Sequence, residues 1–210
     1  MYRFRCVWIA AIFLMALGAT AVRAMPTAMQ IRAAFTAVDT SGNSAISVDE
    51  WDRASFALFH AADKNNNNFI DGDELQGSNI AQDTFLRADT DHDGRLSVGE
   101  FMELRRAIFH LADIDHDDYL VYVEFELLIV MEQVGWTDRN HNGRIELSEL
   151  RGSLAKAFEQ LDTDHEGKLS AAEAAYMPAD EFNAFDKNRD GQLSLDEFIA
   201  GYRAALLGGN

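Results

Sequence analysis

Apolar residues recur along residues 25–210 in a three-part pattern that repeats every 24 to 26 residues. Each repeat begins with one apolar residue, has a lone Ile or Leu eleven residues later, and has a third apolar residue five residues after that. The first set is Phe35, Phe59, Phe85, Phe109, Val134, Phe158 and Phe182. The third set is Trp51, Leu75, Phe101, Phe125, Leu150, Ala174 and Phe198. The spacing predicts a helix on either side of a polar loop, with these residues on the inner helix faces.

The polar loop between the two helices has a fixed length and fixed acidic positions. It starts with Asp, ends with Glu eleven residues later, and has the lone Ile or Leu at its eighth position. The third and fifth positions hold only Asp, Asn, Ser or Glu. Loops 1 to 7 span residues 39–50, 63–74, 89–100, 113–124, 138–149, 162–173 and 186–197. Seven matches in one register make chance a poor explanation for the pattern.

The loop resembles the calcium-binding loop of the EF-hand superfamily, and the resemblance extends over residues 25–210. Such a loop surrounds a hard cation with oxygen atoms from positions 1, 3, 5 and 12, the backbone carbonyl of position 7, and often a water held at position 9. Position 6 turns sharply with positive φ, which Gly adopts most readily. The resemblance implies an all-α fold, an EF-hand repeat array of helix–loop–helix units with short connectors and short β contacts between loops.

Five loops have ligand sets that we expect to bind Ca²⁺, the implied cofactor. Loops 3, 5 and 7 have Gly at the turn, and loop 5 adds Glu146 at position 9. Loop 2 has Asn68 at the turn, and loop 6 has Glu166 at position 5, a longer side chain that would crowd the ion. The predicted ligands, with the position 7 residues acting through their carbonyls, are Asp63, Asn65, Asn67, Phe69, Asp71, Glu74, Asp89, Asp91, Asp93, Arg95, Glu100, Asp138, Asn140, Asn142, Arg144, Glu149, Asp162, Asp164, Glu166, Lys168, Glu173, Asp186, Asn188, Asp190, Gln192 and Glu197.

The other two loops are expected to bind more weakly. In loop 4, Asp118 takes the turn position and Val121 at position 9 cannot hold a water through its side chain. Loop 1 has only Ser41 and Asn43 at positions 3 and 5, and few charges mean low affinity, so we interpret it as a structural relic. The weaker candidate ligands of loop 4 are Asp113, Asp115, Asp117, Tyr119 and Glu124.

The connectors between loops contain only 12 to 14 residues. Twelve residues of helix span about 18 Å, so either one helix serves two loops or each connector is two short helical pieces. Residues 51–62 and 101–112 are predicted to form unbroken helices, whereas Gly77-Ser78, Gly152-Ser153 and Met177-Pro178 predict breaks. Loops at opposite ends of one straight helix cannot pair side by side. The pairing of loops stays open, and an odd number leaves at least one without an intramolecular partner.

Four of the six histidines occupy position 4 of their loops, which raises a transition-metal alternative because imidazole suits zinc or copper. They are His92, His116, His141 and His165. Position 4 normally points outward, so we expect solvated polar residues there rather than ligands. His60 and His110 each lie three residues before a loop, and we expect the same of them.

Residues 1–24 have the pattern of a secretory signal peptide, with a basic start, an apolar run over residues 7–17 and small residues before Ala24. We expect cleavage after Ala24 and a secreted or periplasmic location. The alternative, an uncleaved anchor, is less favoured because a membrane span requires about 20 apolar residues. Cys6 is the one cysteine, so cleavage would leave a protein without thiols or disulfides.

Residues 25–210 contain 15 basic and 35 acidic side chains, a net charge of −20. This charge argues against nucleic acid and anionic membrane as partners. It also opposes compaction, so we expect bound cations to stabilise the fold.

The leading functional hypothesis is calcium ion binding in a secreted or periplasmic protein that acts as a calcium buffer or as a calcium-responsive module for an unidentified protein partner. A sensor must expose an apolar groove when it binds calcium, and Met102, Met131 and Met177 are candidates to line it. A third possibility is a structural or adhesive protein hardened by calcium.

Two further functional classes are less favoured by the sequence. Short connectors in a small exported protein are similar to lanmodulin, which binds lanthanide ions, but none of the seven loops has the Pro that lanmodulin loops carry at position 2. Enzymatic activity is not expected, because few polar residues remain for a catalytic constellation and saturated calcium sites leave no open coordination position.

Overall fold

The computed structural model describes residues 25–77, 85, 86 and 88–208 of the chain, so the predicted signal peptide lies outside the described residues. The helices are α1 (Ala28–Val38), α2 (Val48–Ala62), α3 (Gly72–Gly77), α4 (Val98–Ala112), α5 (Tyr122–Val134), α6 (Leu147–Leu161), α7 (Ala179–Phe185) and α8 (Leu195–Gly208). The strands are β1 (Ala45–Ser47), β2 (Phe69–Ile70), β3 (Leu96–Ser97), β4 (Tyr119–Val121), β5 (Lys168–Ser170) and β6 (Gln192–Ser194). Long helices and very short strands confirm the predicted all-α array. Within the described residues, no helix is both long and apolar enough to cross a membrane.

The lone Ile or Leu at position 8 is the most completely buried residue of every loop. These residues are Ile46, Ile70, Leu96, Leu120, Ile145, Leu169 and Leu193, and each has an exposed fraction of 0%. The apolar residue four positions before each loop is buried too, in all seven repeats. The same holds after each closing Glu, except that the side chain of Leu75 lies outside the described residues. Packing of the predicted apolar pattern therefore confirms the helix–loop–helix interpretation.

The described chain divides into two compact units, residues 34–109 and residues 25–33 with 110–208. In the first unit, α2 packs on α4 through the fully buried Trp51, whose ring meets Phe109 edge-on with centroids 5.8 Å apart. The indole Nε1 donates a 2.8 Å hydrogen bond to the carbonyl of Arg105, and that guanidinium lies 4.2 Å from the indole centroid. An aromatic core whose indole N–H is hydrogen-bonded thus holds these two helices together.

The second unit has its own aromatic core around α8. Tyr202 packs edge-on against Phe185 and Phe198, with ring centroids 5.2 and 5.0 Å apart. Its hydroxyl donates a 2.8 Å hydrogen bond to Glu126 Oε1 in α5, and both residues are fully buried. Gly201 is required for this packing, because a Cβ there would overlap the Phe185 ring.

The two predicted unbroken helices are confirmed, and one predicted break is wrong. Helices α2 and α4 run unbroken, as predicted, and each serves the loops at both of its ends. The predicted break at Gly152-Ser153 does not occur, because α6 continues through both residues. Ser153 is fully buried and its hydroxyl accepts a 2.9 Å hydrogen bond from the Thr137 backbone, while Gly152 faces Thr137 and Arg139 closely. Ser153 therefore makes a tertiary contact from within the helix rather than ending it.

The predicted break at Met177-Pro178 occurs and separates two loops that pair, whereas the predicted break at Gly77-Ser78 lies partly outside the described residues. Helix α3 ends at Gly77, and Ser78 lies outside the described residues. Met177-Pro178 directly precedes α7. Strands β2 and β3 pair antiparallel, which joins loops 2 and 3, and β5 pairs with β6 to join loops 6 and 7. Loop 5 is fully described and contains no strand, in agreement with the expectation that one loop lacks a partner.

Candidate metal centres

The first Asp of each loop organises the loop backbone around its carboxylate. In loop 3, Asp89 Oδ1 accepts a 3.2 Å hydrogen bond from the Asp93 N–H, and Oδ2 accepts a 3.1 Å bond from the Gly94 N–H. Equivalent bonds from the position 6 N–H to the first Asp are present in all seven loops. The first Asp is buried in loops 2, 3, 4, 6 and 7. These hydrogen bonds alone hold the loop backbone around the carboxylate of the first Asp.

Two positions of every loop have left-handed backbone. Position 6 has φ between 65° and 82° in all seven loops, which confirms the predicted sharp turn. Position 4 also has positive φ in all seven, and this explains the four histidines there, because His is among the residues enriched in left-handed conformation. All four are exposed, as expected. They are His92, His116, His141 and His165.

The closing Glu ties the end of each loop to its beginning. In loop 3, Glu100 Oε1 accepts a 2.9 Å bond from the Thr90 N–H, and Oε2 accepts bonds of 2.9 and 2.7 Å from the N–H and hydroxyl of Ser97. Burial alone would raise the pKa of Glu100, but these hydrogen bonds outweigh it and lower the pKa to about 2. The closing carboxylate is thus ionised and aimed into the loop.

Position 9 is serine in loops 1, 3, 6 and 7, and there it forms a reciprocal N-terminal cap with the closing Glu. The residues are Ser47, Ser97, Ser170 and Ser194, each followed three residues later by Glu. Each hydroxyl accepts a hydrogen bond from the Glu N–H, at 3.2 to 3.4 Å, while the Glu carboxylate accepts from the Ser N–H. Sequence reasoning missed these capping boxes, although the S-x-x-E spacing is their known signature.

Three loops bring carboxylates from positions 1, 3 and 12 together. The groups are Asp89, Asp91 and Glu100 in loop 3, with their counterparts in loops 4 and 6, and the ligand oxygens of each group lie within 4.8 Å of one another. Loops 2, 5 and 7 have Asn at position 3, whose amide oxygen is a neutral ligand. Oxygen donors of this kind fit a hard cation such as Ca²⁺.

Loop 5 contains a buried oxygen that a cation would satisfy. Asp138 Oδ2 accepts a 3.0 Å bond from the Gly143 N–H, but Oδ1 is buried without a hydrogen-bond partner among the described residues. Glu146 at position 9 reaches back and accepts bonds of 3.2 and 2.6 Å from the amides of Asn140 and Asn142. A buried carboxylate oxygen without a hydrogen bond is costly unless a cation lies beside it, so the residues of loop 5 fit the group that the loop pattern implies.

Loops 6 and 7 contact each other through their predicted ligands. Lys168 Nζ forms a 2.6 Å ion pair with Asp190 Oδ2, at position 5 of the partner loop. In return, Gln192 Nε2 donates to Glu166 Oε1, also at position 5. Residues predicted as ligands only through their carbonyls therefore also hold the position 5 carboxylates of the opposite loop.

Loop 4 has the same acids as loop 3 in a much less polar setting. Glu124 is 1% exposed and Asp113 is 2% exposed. Burial raises the pKa of Glu124 to about 7, although the N–H groups of Val121 and Ile114 donate to its carboxylate. Burial likewise raises the pKa of Asp113. Val121 has no hydroxyl to complete the cap that Ser97 forms in loop 3.

Loop 1 satisfies its own polar groups internally. The Ser41 hydroxyl donates a 3.2 Å bond to Asp39 Oδ1, and the Ser41 N–H donates a 2.8 Å bond to Glu50 Oε1. Its position 3 and position 5 ligands stay neutral, so its interpretation as a weak or structural loop remains a prediction.

His110 departs from the expectation that it is simply solvated. Its ring is half-buried at the end of α4, and one ring nitrogen lies within 4.8 Å of carboxylate oxygens of Asp113 and Asp118. His60, in the corresponding place before loop 2, is exposed and lies edge-on to Phe56, with ring centroids 4.4 Å apart.

Comparison with known proteins supports the geometry. None of the curated proteins searched matches the chain. The family model described as EF hand matches residues 57–77, 81–104, 154–173 and 179–201. These four segments contain loops 2, 3, 6 and 7, in which loop 2 pairs with loop 3 and loop 6 pairs with loop 7 through short strands. The repeats, the buried position 8 residues and the family matches lead to one conclusion: the chain belongs to the EF-hand calcium-binding superfamily.

Proposed function

We propose that the protein is an exported calcium buffer that binds Ca²⁺ through loops 2, 3, 5, 6 and 7. The observation that carries this proposal is the convergence of carboxylates in loops such as loop 3, where Asp89, Asp91 and Glu100 offer oxygens within 4.8 Å of one another. Carboxylates so close together repel unless a cation lies between them. The EF-hand family is typically a non-enzymatic calcium-binding family, and this agrees with the expected lack of a catalytic role.

A buffer is favoured over a calcium sensor by the placement of the methionines. Met131 and Met177, two candidates for a partner-binding groove, have exposed fractions of 0% and 4%, and Met102 is half-buried. A calcium-loaded sensor would instead expose such methionine side chains to a partner. A calcium-responsive partner module is the alternative. A partner captured with calcium and released by chelator would support that alternative and overturn the buffer role.

The ion is proposed to be Ca²⁺ because the loops present hard oxygen donors and lack the proline that lanmodulin loops have at position 2. A competitive titration of Ca²⁺ against a lanthanide ion, on the protein expressed from the full sequence, tests this assignment. We expect calcium binding in the range of extracellular EF-hand modules, on the order of 10⁻⁴ to 10⁻³ M or tighter. Lanthanide binding so tight that millimolar Ca²⁺ cannot displace it would favour the lanthanide alternative.

Export is proposed from residues 1–24, whose basic start and apolar run suit a cleaved signal peptide. Expression of the full sequence in a cell with a secretory pathway, followed by mass measurement of the exported protein, tests it. A mature protein that starts at Met25 is the expected result. Recovery of the intact chain from the cytoplasm alone would contradict it.

A further inference from the structure

We propose a second kind of metal site beside loop 4, formed by His110, Asp113 and Asp118, that binds a borderline transition-metal dication such as Zn²⁺. The three residues each offer one ligand atom, and these atoms lie within 4.8 Å of one another. One imidazole nitrogen and two carboxylate oxygens form a donor set that suits Zn²⁺, with ligand distances of about 2.0 to 2.2 Å. A water would complete a four-coordinate site.

The local fold explains why these three side chains meet. His110 lies in the last turn of α4 and Asp113 directly follows that helix, three residues later, a spacing that places the two side chains on the same side of the helix end. The loop then curls back, and the N–H of Asp118 donates a 3.2 Å hydrogen bond to Asp113 Oδ2. This bond fixes the backbone of Asp118 next to the carboxylate of Asp113.

Asp118 is the unusual member, because it occupies the turn position of loop 4. Its φ is 65°, a conformation that Gly adopts without steric cost, and four of the seven loops have Gly there. No EF-hand ligand is needed at position 6, so a carboxylate there is not explained by calcium binding in the loop. A cation shared with His110 and Asp113 gives it a role.

Loop 2 provides a natural comparison for this site. The preceding helix has His60 three residues before Asp63, as α4 has His110 before Asp113, but the turn residue is Asn68 rather than Asp. His60 is exposed and lies against Phe56 instead of the loop. The loop 2 arrangement therefore has the histidine without the second carboxylate.

The proposed site shares Asp113 with the calcium site of loop 4, whose candidate group is Asp113, Asp115 and Glu124. Two dications that share one carboxylate repel each other, so calcium in loop 4 is expected to weaken binding of the transition metal. By linkage, the transition metal weakens calcium binding at loop 4 by the same factor. The site would thus make one loop respond to a second metal.

The test is a Co²⁺ titration of the protein expressed from the full sequence, since Co²⁺ replaces Zn²⁺ and absorbs visible light in four-coordinate sites. We expect one Co²⁺ site whose affinity falls by roughly tenfold or more in His110→Ala. Loss of a residue that only supports a metal ligand already costs about tenfold or more, and loss of a ligand should cost at least as much. Asp118→Asn, which copies the turn residue of loop 2, should weaken the same site. His60→Ala is the matched control and should leave the titration unchanged.

His110→Gln keeps a polar side chain at the end of α4 and guards against a folding defect in the alanine variant. Calcium stoichiometry is measured on every variant, and it should stay unchanged at loops 2, 3, 5, 6 and 7 whatever happens to Co²⁺. Equal Co²⁺ affinity in the original protein and both His110 variants would overturn the proposal. An equal loss in His60→Ala would overturn it too, because it would show histidines binding Co²⁺ without the carboxylate of Asp118.

Discussion

Loops 3 and 4 follow each other along the chain and have Asp at positions 1, 3 and 5 and Glu at position 12, yet their closing glutamates differ in charge. In loop 3, hydrogen bonds from Ser97 and Thr90 outweigh burial and lower the pKa of Glu100 to about 2. In loop 4, burial raises the pKa of Glu124 to about 7. Val121 stands where loop 3 has Ser97. Identical ligands therefore do not make identical sites, because burial and position 9 decide whether the closing carboxylate is ionised.

Removal of calcium should have the largest effect and should affect the two loops unequally. Each site with a dissociation constant of about 10⁻⁴ M stabilises the native state by about 1.4 kcal/mol in about 1 mM calcium. Thermal melting in millimolar calcium and in chelator should therefore differ by at least about ten degrees for five such sites, given about 2 to 4 °C per kcal/mol at this size.

Hydrogen exchange in chelator should locate the loss of protection. Loop 3 should open more than loop 4, since its ionised carboxylates repel whereas Glu124 is partly protonated near neutral pH. Equal melting temperatures with and without calcium would contradict the proposed stabilisation. Equal protection of loops 3 and 4 from hydrogen exchange would contradict the proposed difference between them.

Replacing the closing Glu should have the second-largest effect, and the effect should differ between loops 3 and 4. Glu100→Gln removes a charged bidentate ligand and should weaken calcium binding at loop 3 on the order of a hundredfold. It should also cost about 1 to 3 kcal/mol of ion-free stability, because charge-assisted hydrogen bonds become neutral ones. Glu124→Gln keeps a neutral side chain in this buried place at every pH, so the ion-free protein should be at least as stable at pH 7 as the unsubstituted protein. Calcium titration and urea unfolding give the two quantities.

If Glu124→Gln destabilised the ion-free protein as much as Glu100→Gln does, the buried glutamate would have to be ionised. That result would remove the difference between the loops.

The pH dependence should be opposite for folding and for calcium binding at loop 4. The pKa of Glu124 is about 7 in the folded state against an ordinary 4.5, so its contribution to ion-free stability is fully present below 4.5 and is lost as pH rises through 7. Calcium requires the carboxylate, so affinity at loop 4 should fall as pH drops below 7.

The pKa of Glu100 is about 2, so loop 3 should keep its calcium affinity between pH 8 and 6. Backbone amide signals of Gly94 and Asp118, followed by NMR during calcium titrations at both pH values, report the two loops separately. A parallel decline at both amides would point to a global change and against a local effect of Glu124.

Exchanging the residues at position 9 should have the smallest effect. Ser97→Val removes a helix cap and should cost about 1 kcal/mol in urea unfolding. Val121→Ser should supply the missing cap to loop 4, stabilise it by up to a similar amount, and lower the pKa of Glu124. Chemical shifts of the Glu124 carboxyl carbon against pH would show the second effect. An unchanged pKa in Val121→Ser would mean that burial alone controls this group.

The loops were predictable from the sequence because their requirements are local. The buried position 8 residues and the position 6 turns follow from spacing and side-chain type alone. The break predicted at Gly152-Ser153 was wrong because the buried Ser153 hydroxyl accepts a hydrogen bond from the Thr137 backbone, a tertiary contact. The pKa of Glu124 and the half-buried ring of His110 depend on burial, which residue spacing does not report. The capping serines, by contrast, could have been found from their S-x-x-E spacing.

The most direct test of the central claim is the number of calcium ions bound by one protein molecule, counted by native mass spectrometry after gentle desalting from calcium. The account predicts five ions, one each in loops 2, 3, 5, 6 and 7. It also predicts that Glu100→Gln removes one of them and Glu124→Gln removes none. Two ions or fewer on the unsubstituted protein would contradict the account.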